Sequence, residues 1–165
     1  MWIREHVSLK ELTTLKIGGT ARYFCSVEKE AELLEAFAFA HEKGVTCVVL
    51  GGGSNTLITD RDLDKFVIKM EIKGIEWQES GDSVLVIVGA GESWDGLVAE
   101  AVRRKLWGIE NLSGIPGTVG AAPIQNIGAY GTEINDTLLL AEVFDTKTGK
   151  SRKLSNEECA FDYRG

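Results

Sequence analysis

Glycine is the residue that most constrains how this chain can fold. It contributes 19 of the 165 residues, whereas proline contributes only two, and the usual share of glycine is about 7%. The glycines form no repeat and no linker. They cluster at positions 51–53 and within 108–131, a stretch that also holds both prolines. Because glycine adopts backbone angles that strain other residues, these clusters predict tight turns or close approach of the backbone to a ligand.

Length and composition indicate a globular chain with its own hydrophobic core. A chain of 165 residues matches one domain of about 100–200 residues, or two small lobes that share a core. Apolar residues make up 44% and charged residues 26%, which argues against disordered and collagen-like classes. The net charge of −7 disfavours general binding to nucleic acid or anionic lipid, since both are polyanions. One small phosphorylated ligand held by backbone donors is compatible with that charge.

Several residue types predict the cellular compartment and argue against a metal site. Cys25, Cys47 and Cys159 form no close pair, so no disulfide framework is predicted and a reducing compartment fits. No apolar run approaches the roughly 20 residues of a membrane-spanning helix, and residues 1–10 lack the apolar stretch of a signal peptide. His6 and His41 have no metal-ligand spacing, so no metal site is predicted. We expect a cytoplasmic protein without membrane or nucleic-acid partners.

Periodicity predicts two helices among more numerous strands. The helices span 28–43, with Ser26 as N-cap and Gly44 as the stop, and 93 to about 105. Strands are predicted at 45–50 and 66–70, with hairpins formed by 75–78 and 84–88 and by 138–145 and 151–154. Ser155 and Glu158 have the spacing of a capping box. The predicted fold class is α+β, with a small α/β lobe over residues 1–73 and a mostly antiparallel β lobe with helices over 74–165.

The loop that follows the strand at 45–50 is the first candidate ligand site. After Leu50 come three consecutive glycines, then Ser54 and Asn55. Consecutive glycine amides can converge on an anion, and the two polar side chains add donors. A pyrophosphate suits such a loop, although it lacks the lysine of a P-loop and the third glycine of the dinucleotide fingerprint. The alternative is an ordinary turn between two strands.

The irregular stretch at 115–131 is the second candidate site. A long loop within a compact domain is usually functional or disordered. Apolar side chains argue against disorder here, since they favour burial: Ile115, Val119, Ile124, Ile127 and Tyr130. Because glycines separate them, these side chains can form a flat surface under an aromatic ring system. Gln125 and Asn126 could then hydrogen-bond a polar edge of that ligand. The alternative is a connection that packs between two lobes.

Arg164, next to Tyr163 at the end of the sequence, is a third candidate. A guanidinium holds a carboxylate through two parallel hydrogen bonds. The alternative is an exposed terminal arginine without a role.

Six segments occur in the order seen in the UDP-N-acetylenolpyruvoylglucosamine reductase family of bacterial cell-wall enzymes. They are TTLKIGGTAR (13–22), LGGGSN (50–55), VGAGESW (88–94), GIENLSGIPGTVG (108–120), QNIGAYG (125–131) and FDYR (161–164). Essentially the whole chain resembles the N-terminal FAD-binding region of that family. The resemblance implies the PCMH-type FAD-binding fold, which is also the fold of vanillyl-alcohol oxidase.

The resemblance also implies a reaction and a set of site residues. The family reduces UDP-N-acetylglucosamine enolpyruvate to UDP-N-acetylmuramate for peptidoglycan synthesis, with NADPH as reductant and FAD as cofactor. The residues implied to bind FAD are Leu50, Gly51, Gly52, Gly53, Ser54, Asn55, Ile115, Pro116, Gly117, Thr118, Gly120, Ala121, Ala122, Gln125 and Gly128. Tyr130, Tyr163 and Arg164 are implied to bind the substrate, and Arg164 to polarise its carboxylate. Because histidines and cysteines lie outside the matched flavin loops, FAD is expected to bind non-covalently.

The sequence departs from the family in length. The family's proton-donating serine and assisting glutamate lie in later segments, within a C-terminal substrate domain that this sequence does not contain. We therefore expect a monomeric chain that binds FAD but does not complete the reaction alone. Two alternatives stay open: a non-catalytic FAD-binding module on the same fold, and a different flavin oxidase of that fold.

Overall fold

A four-stranded sheet covered by one helix forms the first part of the chain. The structure is a computed structural model that describes residues 1–162. Its first strands are β1 (Arg4–Ser8), β2 (Thr20–Val27), β3 (Thr46–Leu50) and β4 (Leu63–Met70), in the order β1-β2-β4-β3. Strands β2 and β3 run parallel to β4, whereas β1 is antiparallel to β2. These four strands lie within residues 1–73, the range predicted for the small α/β lobe.

Burial explains the position of each element in this sheet. Phe66, Val67 and Ile68 of β4 are consecutive and all buried, as expected for an inner parallel strand covered on both faces. Helix α1 (Glu30–Lys43) buries Leu33, Ala36 and Ala40 at helical spacing, against one face of the sheet. It ends at Gly44, whose positive φ of 64° forms the C-cap.

The start of α1 differs from the prediction. The helix begins at Glu30 with Lys29 as N-cap, whereas Ser26 lies within β2. The Glu32 carboxylate accepts the amide N–H groups of Glu28 and Lys29, at 2.7 and 3.2 Å. Glu32 thus acts as the acidic N3 residue of a capping box, whose carboxylate satisfies the amide of the N-cap. Strands β1 and β2 were not predicted, and β4 begins three residues before the predicted strand.

Antiparallel hairpins and one helix make up the rest of the chain. The elements are β5 (Ile75–Ser80), β6 (Ser83–Val88), α2 (Trp94–Arg103), β7 (Gly128–Ala129), β8 (Thr132–Glu133), β9 (Leu140–Asp145) and β10 (Lys150–Ser155). Strand pairs β5–β6, β7–β8 and β9–β10 each form a two-stranded antiparallel sheet. Both predicted long hairpins are therefore confirmed, as is the capping box, in which Ser155 and Glu158 exchange hydrogen bonds. The α+β class is confirmed.

A second hydrophobic cluster lies under α2. Trp94, Leu97 and Val98 pack there with Leu112 and Ile134, among other residues. The stretch predicted to be irregular is built mainly of two short 3-10 helices, Glu110–Leu112 and Val119–Gln125, ahead of β7. Among residues 1–162, neither helix has the length and hydropathy needed to cross a membrane.

Candidate functional site

The triple-glycine loop begins where parallel strand β3 ends. Leu50, the last residue of β3, pairs with Lys69 near the end of the neighbouring strand β4. The carboxyl ends of parallel strands meet at one edge of a sheet, which is where ligands bind in open α/β sheets. The loop is therefore placed at the edge that most often forms a binding site.

None of the three glycines in this loop has room for a side chain. A Cβ atom on Gly51 would lie 2.8 Å from Oγ1 of Thr118, and one on Gly52 would lie 3.0 Å from Cα of Gly117. Gly53 has a φ of +70°, and a Cβ there would lie 2.1 Å from the carbonyl oxygen of Leu12. The loop is thus held by close backbone contact with two other segments, which an ordinary surface turn does not require.

The backbone donors of this loop are left available. Among hydrogen bonds between residues 1–162, none is donated by the amide N–H groups of Gly52, Gly53, Ser54 or Asn55. Gly52 and Asn55 are exposed, and Ser54 is half-buried. A run of free amides at a turn can bind an anion such as phosphate.

The second loop, at 115–125, is fixed to the segment that precedes α2. The amide of Val119 donates to the Glu92 carbonyl at 2.9 Å, and the amide of Gly120 donates to the Ala90 carbonyl at 2.9 Å. The amide of Trp94 donates to the Gly117 carbonyl at 3.1 Å. These bonds pair the two segments much as strands pair, so this loop has little freedom to move independently.

The first turn of α2 holds the residues just before that loop. The Asp95 carboxylate accepts the amide of Gly114 at 2.6 Å and the hydroxyl of Ser113 at 3.0 Å. These two hydrogen bonds, that of Gly114 foremost, hold the pKa of Asp95 below its usual range. The buried indole N–H of Trp94 donates to the Leu112 carbonyl at 2.9 Å. Helix α2 therefore orients the 113–118 segment.

Two side-chain bonds join the loops directly. Ser54 Oγ donates to the Pro116 carbonyl at 3.1 Å, and Asn55 Nδ2 donates to Gln125 Oε1 at 2.6 Å. Between the loops lies a cavity of about 360 Å³. One wall carries the free amides of the triple-glycine loop, and the other is formed by apolar and glycine residues of the second loop.

Most of the residues implied to bind FAD line this one cavity. They are Gly51, Gly52, Gly53, Ser54, Asn55, Ile115, Pro116, Gly117, Thr118, Gly120, Ala121, Ala122 and Gln125. Leu50 and Gly128 are not among the lining residues. Tyr130 is also outside the lining, is 90% exposed, and has a positive φ of 53°. Tyr163 and Arg164 lie outside the described residues.

Asn126 differs from the expectation that it bonds the polar edge of a ligand. It is buried, and its Nδ2 donates to the Glu133 carboxylate at 2.6 Å and to the Asp162 carbonyl at 3.2 Å. The Asn126 side chain therefore stabilises the loop through bonds outside the cavity, whereas Gln125 lines the cavity.

Five further residues that were not predicted from the sequence also line the cavity. They are Val49, Thr56, Met70, Ala90 and Trp94. Ala90 and Trp94 belong to the VGAGESW segment, and Met70 ends a strand parallel to β3. The rule that ligands bind at the carboxyl ends of parallel strands could have located Met70.

The comparisons with known proteins identify the class to which this fold and site belong. Residues 21–155 match the family described as "FAD binding domain", and the chain belongs to that family. A crystal structure of UDP-N-acetylenolpyruvylglucosamine reductase from Thermus caldophilus matches 99% of this chain and 56% of its own, with 36% identity and a TM-score of 0.79. A VAO-type flavoprotein from Myceliophthora thermophila, 15% identical with a TM-score of 0.65, covers 83% of this chain and 27% of its own and shows the shared fold alone.

A curated relative has the same name as the Thermus enzyme. The UDP-N-acetylenolpyruvoylglucosamine reductase of Pseudomonas aeruginosa is 45% identical over 163 residues, which is 98% of this chain and 48% of that protein. The resemblance indicated by the six segments and the PCMH-type fold are thus confirmed. The chain spans about half the length of the curated relatives that it matches.

The residues present fit the cofactor of this family. The triple-glycine loop has no room for side chains, and its free amides suit a diphosphate. The opposite wall, with Ile115, Pro116 and Ala122, suits the flat apolar face of a flavin ring. Among residues 1–162 there is no group of three or more potential metal ligands.

Proposed function

We propose that the cavity between the two loops binds FAD, with the diphosphate on the triple-glycine loop and the flavin ring against the second loop. One observation carries this proposal: the free amides and the apolar wall face each other across a single cavity. Flavin binding agrees with the family to which the chain belongs. No histidine or cysteine is among the described residues that line the cavity, which supports non-covalent binding.

In this proposal the protein contributes binding, orientation and exclusion of water. The amides of Gly52 to Asn55 hold the diphosphate, and the cross-links from Ser54 and Asn55 keep the two loops at a fixed separation. The rigid second loop would hold the ring in one plane and shield that face from water. When bound, FAD supplies the hydride chemistry, which the protein tunes but does not itself perform.

We propose further that the chain is the FAD-binding part of an NADPH-dependent reductase of UDP-N-acetylglucosamine enolpyruvate in peptidoglycan synthesis. The names of the relatives support this reaction. Tyr130 is exposed and free to reach a substrate, and the sequence resemblance supports substrate roles for Tyr163 and Arg164. Negative charge develops on the substrate carboxylate when a hydride adds to the conjugated double bond, so a fixed guanidinium at Arg164 would stabilise it.

The organisation of the polypeptide is part of the same proposal. We assign residues 1–73 to a first lobe that supplies the diphosphate loop and 74–165 to a second lobe that supplies the ring-facing loop. The proton-donating serine and the assisting glutamate of the family have no assigned counterpart in this sequence. The chain alone is then expected to bind FAD without reducing substrate. We also propose that the protein is monomeric and cytoplasmic; the free cysteines support a reducing compartment.

A binding measurement tests the cofactor assignment. The purified chain, incubated with FAD and freed of excess ligand, should retain the absorbance of flavin, and denaturation should release it. Ser54→Ala with Asn55→Ala should weaken FAD binding by about tenfold, since it removes both hydrogen bonds that hold the two loops at a fixed separation. Each such bond contributes about 0.5–1.5 kcal/mol, and about 1.4 kcal/mol corresponds to tenfold. Ser83→Ala, on the exposed start of β6, is the matched control. A wild-type chain that stays colourless would overturn the proposal.

An activity measurement separates the alternatives. A non-catalytic module and a partial enzyme both bind FAD. Only the partial enzyme should support turnover when it is extended by the part of its relatives that this chain does not cover. NADPH oxidation that depends on the enolpyruvyl substrate is the readout. In that longer polypeptide, Arg164→Lys should reduce turnover strongly and FAD binding little, because a point charge replaces a planar pair of donors. Oxidation of small alcohols instead would favour the oxidase alternative.

A further inference from the structure

Three charged side chains lie at the end of β4 and just after it, and two of them, both lysines, contact backbone carbonyls beside the cavity. Lys69, Glu71 and Lys73 alternate along the backbone, and the Glu71 carboxylate lies 3.7 Å from Lys69 Nζ and 3.9 Å from Lys73 Nζ. The Lys69 side chain is only 15% exposed.

Lys69 bonds the first peptide group of the triple-glycine loop. Its Nζ donates a hydrogen bond to the Gly51 carbonyl oxygen. The peptide between Gly51 and Gly52 is trans, so the Gly52 N–H points opposite to the Gly51 C=O. A carbonyl held by Lys69 therefore fixes the direction in which the Gly52 amide points.

Lys73 makes the equivalent contact on the other side of the site. Its Nζ donates to the Gly91 carbonyl oxygen, in the segment whose Ala90 and Glu92 carbonyls accept from the second loop. The same short stretch of chain thus contacts the backbone on both sides of the cavity, with Glu71 between the two ammonium groups.

We propose that Lys69 is a positioning residue for anion binding: it holds the Gly51–Gly52 peptide with its carbonyl away from the cavity and its N–H available to a diphosphate. This inference rests on the proposed function. A peptide between two glycines has a low barrier to rotation, since no Cβ restricts its angles. Rotated by half a turn, it would present a carbonyl oxygen to the anion and oppose binding. Lys69 stabilises the orientation that binds.

Comparison of two ligands tests this role. FAD carries the diphosphate, whereas riboflavin presents the same ring without any phosphate. Lys69→Met keeps the apolar stem and removes the donor, so it should weaken FAD binding by about tenfold or more. Riboflavin binding should change less than about twofold. A purely structural defect would weaken both ligands together.

Two controls separate positioning from loss of charge. Lys65→Met removes the same charge four residues earlier on the same strand and should leave the FAD affinity within about twofold of wild type. In about 1 M NaCl, where the Debye length is about 3 Å, a long-range charge effect should disappear, but the deficit of Lys69→Met should persist. Lys69→Arg, which keeps a donor and the charge, should recover most of the FAD affinity.

The outcomes distinguish this inference from the proposed function. If the wild-type chain does not bind FAD, the proposed function fails. If the wild type binds FAD and Lys69→Met binds it equally well, or loses riboflavin and FAD in equal measure, the positioning role is wrong and the FAD site stands. If Lys69→Met does not fold, Lys69→Gln with the same two ligands gives the same test.

Discussion

The two loops around the cavity are both rich in glycine, yet they use their backbones in opposite ways. In the triple-glycine loop, the amides from Gly52 to Asn55 make no hydrogen bond within residues 1–162, and close steric contacts hold the loop in place. In the second loop, the backbone of Gly117, Val119 and Gly120 is paired with the segment before α2. Glycine therefore serves two purposes: it exposes donors in one loop and allows close pairing in the other.

This difference matches the two chemical parts of a flavin nucleotide. Free amides next to one another favour an anion, whereas a loop whose polar backbone groups are already paired presents an apolar surface. Because the two loops are cross-linked by Ser54 and Asn55, a ligand that contacts both must match their fixed separation.

The largest expected effect comes from removing the anchor of the second loop. Trp94 is 2% exposed, and its replacement by alanine should lower the free energy of unfolding by about 4 kcal/mol, the usual cost for a buried aromatic side chain. Trp107→Ala is the matched control, because Trp107 is 88% exposed and should cost less than about 0.5 kcal/mol. Urea unfolding measures both; equal losses would contradict the anchoring role.

Close steric contact in the triple-glycine loop should make Gly53 the second most sensitive position. Gly53 and Gly44 both have positive φ angles, but a Cβ on Gly53 meets the Leu12 carbonyl, whereas one on Gly44 meets nothing within 4 Å. Gly53→Ala should therefore cost about 3 kcal/mol of unfolding free energy, and Gly44→Ala about 1 kcal/mol from backbone strain alone. If thermal or urea unfolding shows that the two variants lose similar amounts of unfolding free energy, the triple-glycine loop is not held by close packing.

The third prediction asks whether the loops are coupled. Asn55→Ala and Gln125→Ala each remove one end of the same hydrogen bond, so the two effects should not add. A double-mutant cycle measured by urea unfolding should give a coupling energy of about 0.5–1 kcal/mol. Asn55→Ala combined with Asn111→Ala, a residue that bonds Thr132 instead, should be additive. Additivity in the first cycle as well would show that the loops move independently.

The smallest expected effect is the pH dependence of the second loop. The pKa of Asp95 is lowered by hydrogen bonds from Gly114 and Ser113, so the folded state favours its ionised form. This stability is present above the ordinary aspartate pKa of about 3.9 and is lost as pH falls through the lower pKa of the folded state. Asp95→Asn should reduce the acid dependence of unfolding.

Asp145 provides the contrast for that measurement. Its pKa is also lowered, chiefly by the amide of Lys147, but it lies at the end of β9 and accepts from Lys147 and Thr148, which are not near the two loops in sequence. Asp145→Asn should alter the acid dependence of unfolding without altering that of FAD binding, whereas Asp95→Asn should alter both. A variant pair with identical FAD titrations as the pH falls from about 5 to well below the ordinary aspartate pKa of about 3.9 would remove Asp95 from loop positioning.

Local patterns were enough to predict several elements. The spacing of Leu33 and Ala40, the stop at Gly44 and the turn between β5 and β6 all depend on residues close in sequence, and all are confirmed. Strands β1 and β2 were missed because exposed charged residues such as Arg4 and Arg22 interrupt their apolar pattern. Those strands form through pairing with distant partners rather than from their own sequence.

The amino-acid sequence was enough to predict the α+β class, the two glycine-rich segments and, through six ordered motifs, the family. It did so because helix periodicity, turn residues and motif order are properties of neighbouring positions. Three contacts became visible only in the folded chain: Asn126 bonds the Asp162 carbonyl, Lys69 bonds Gly51, and Ser54 bonds Pro116, 62 positions away. Contacts over such separations depend on the packing of the whole fold, which no local pattern encodes.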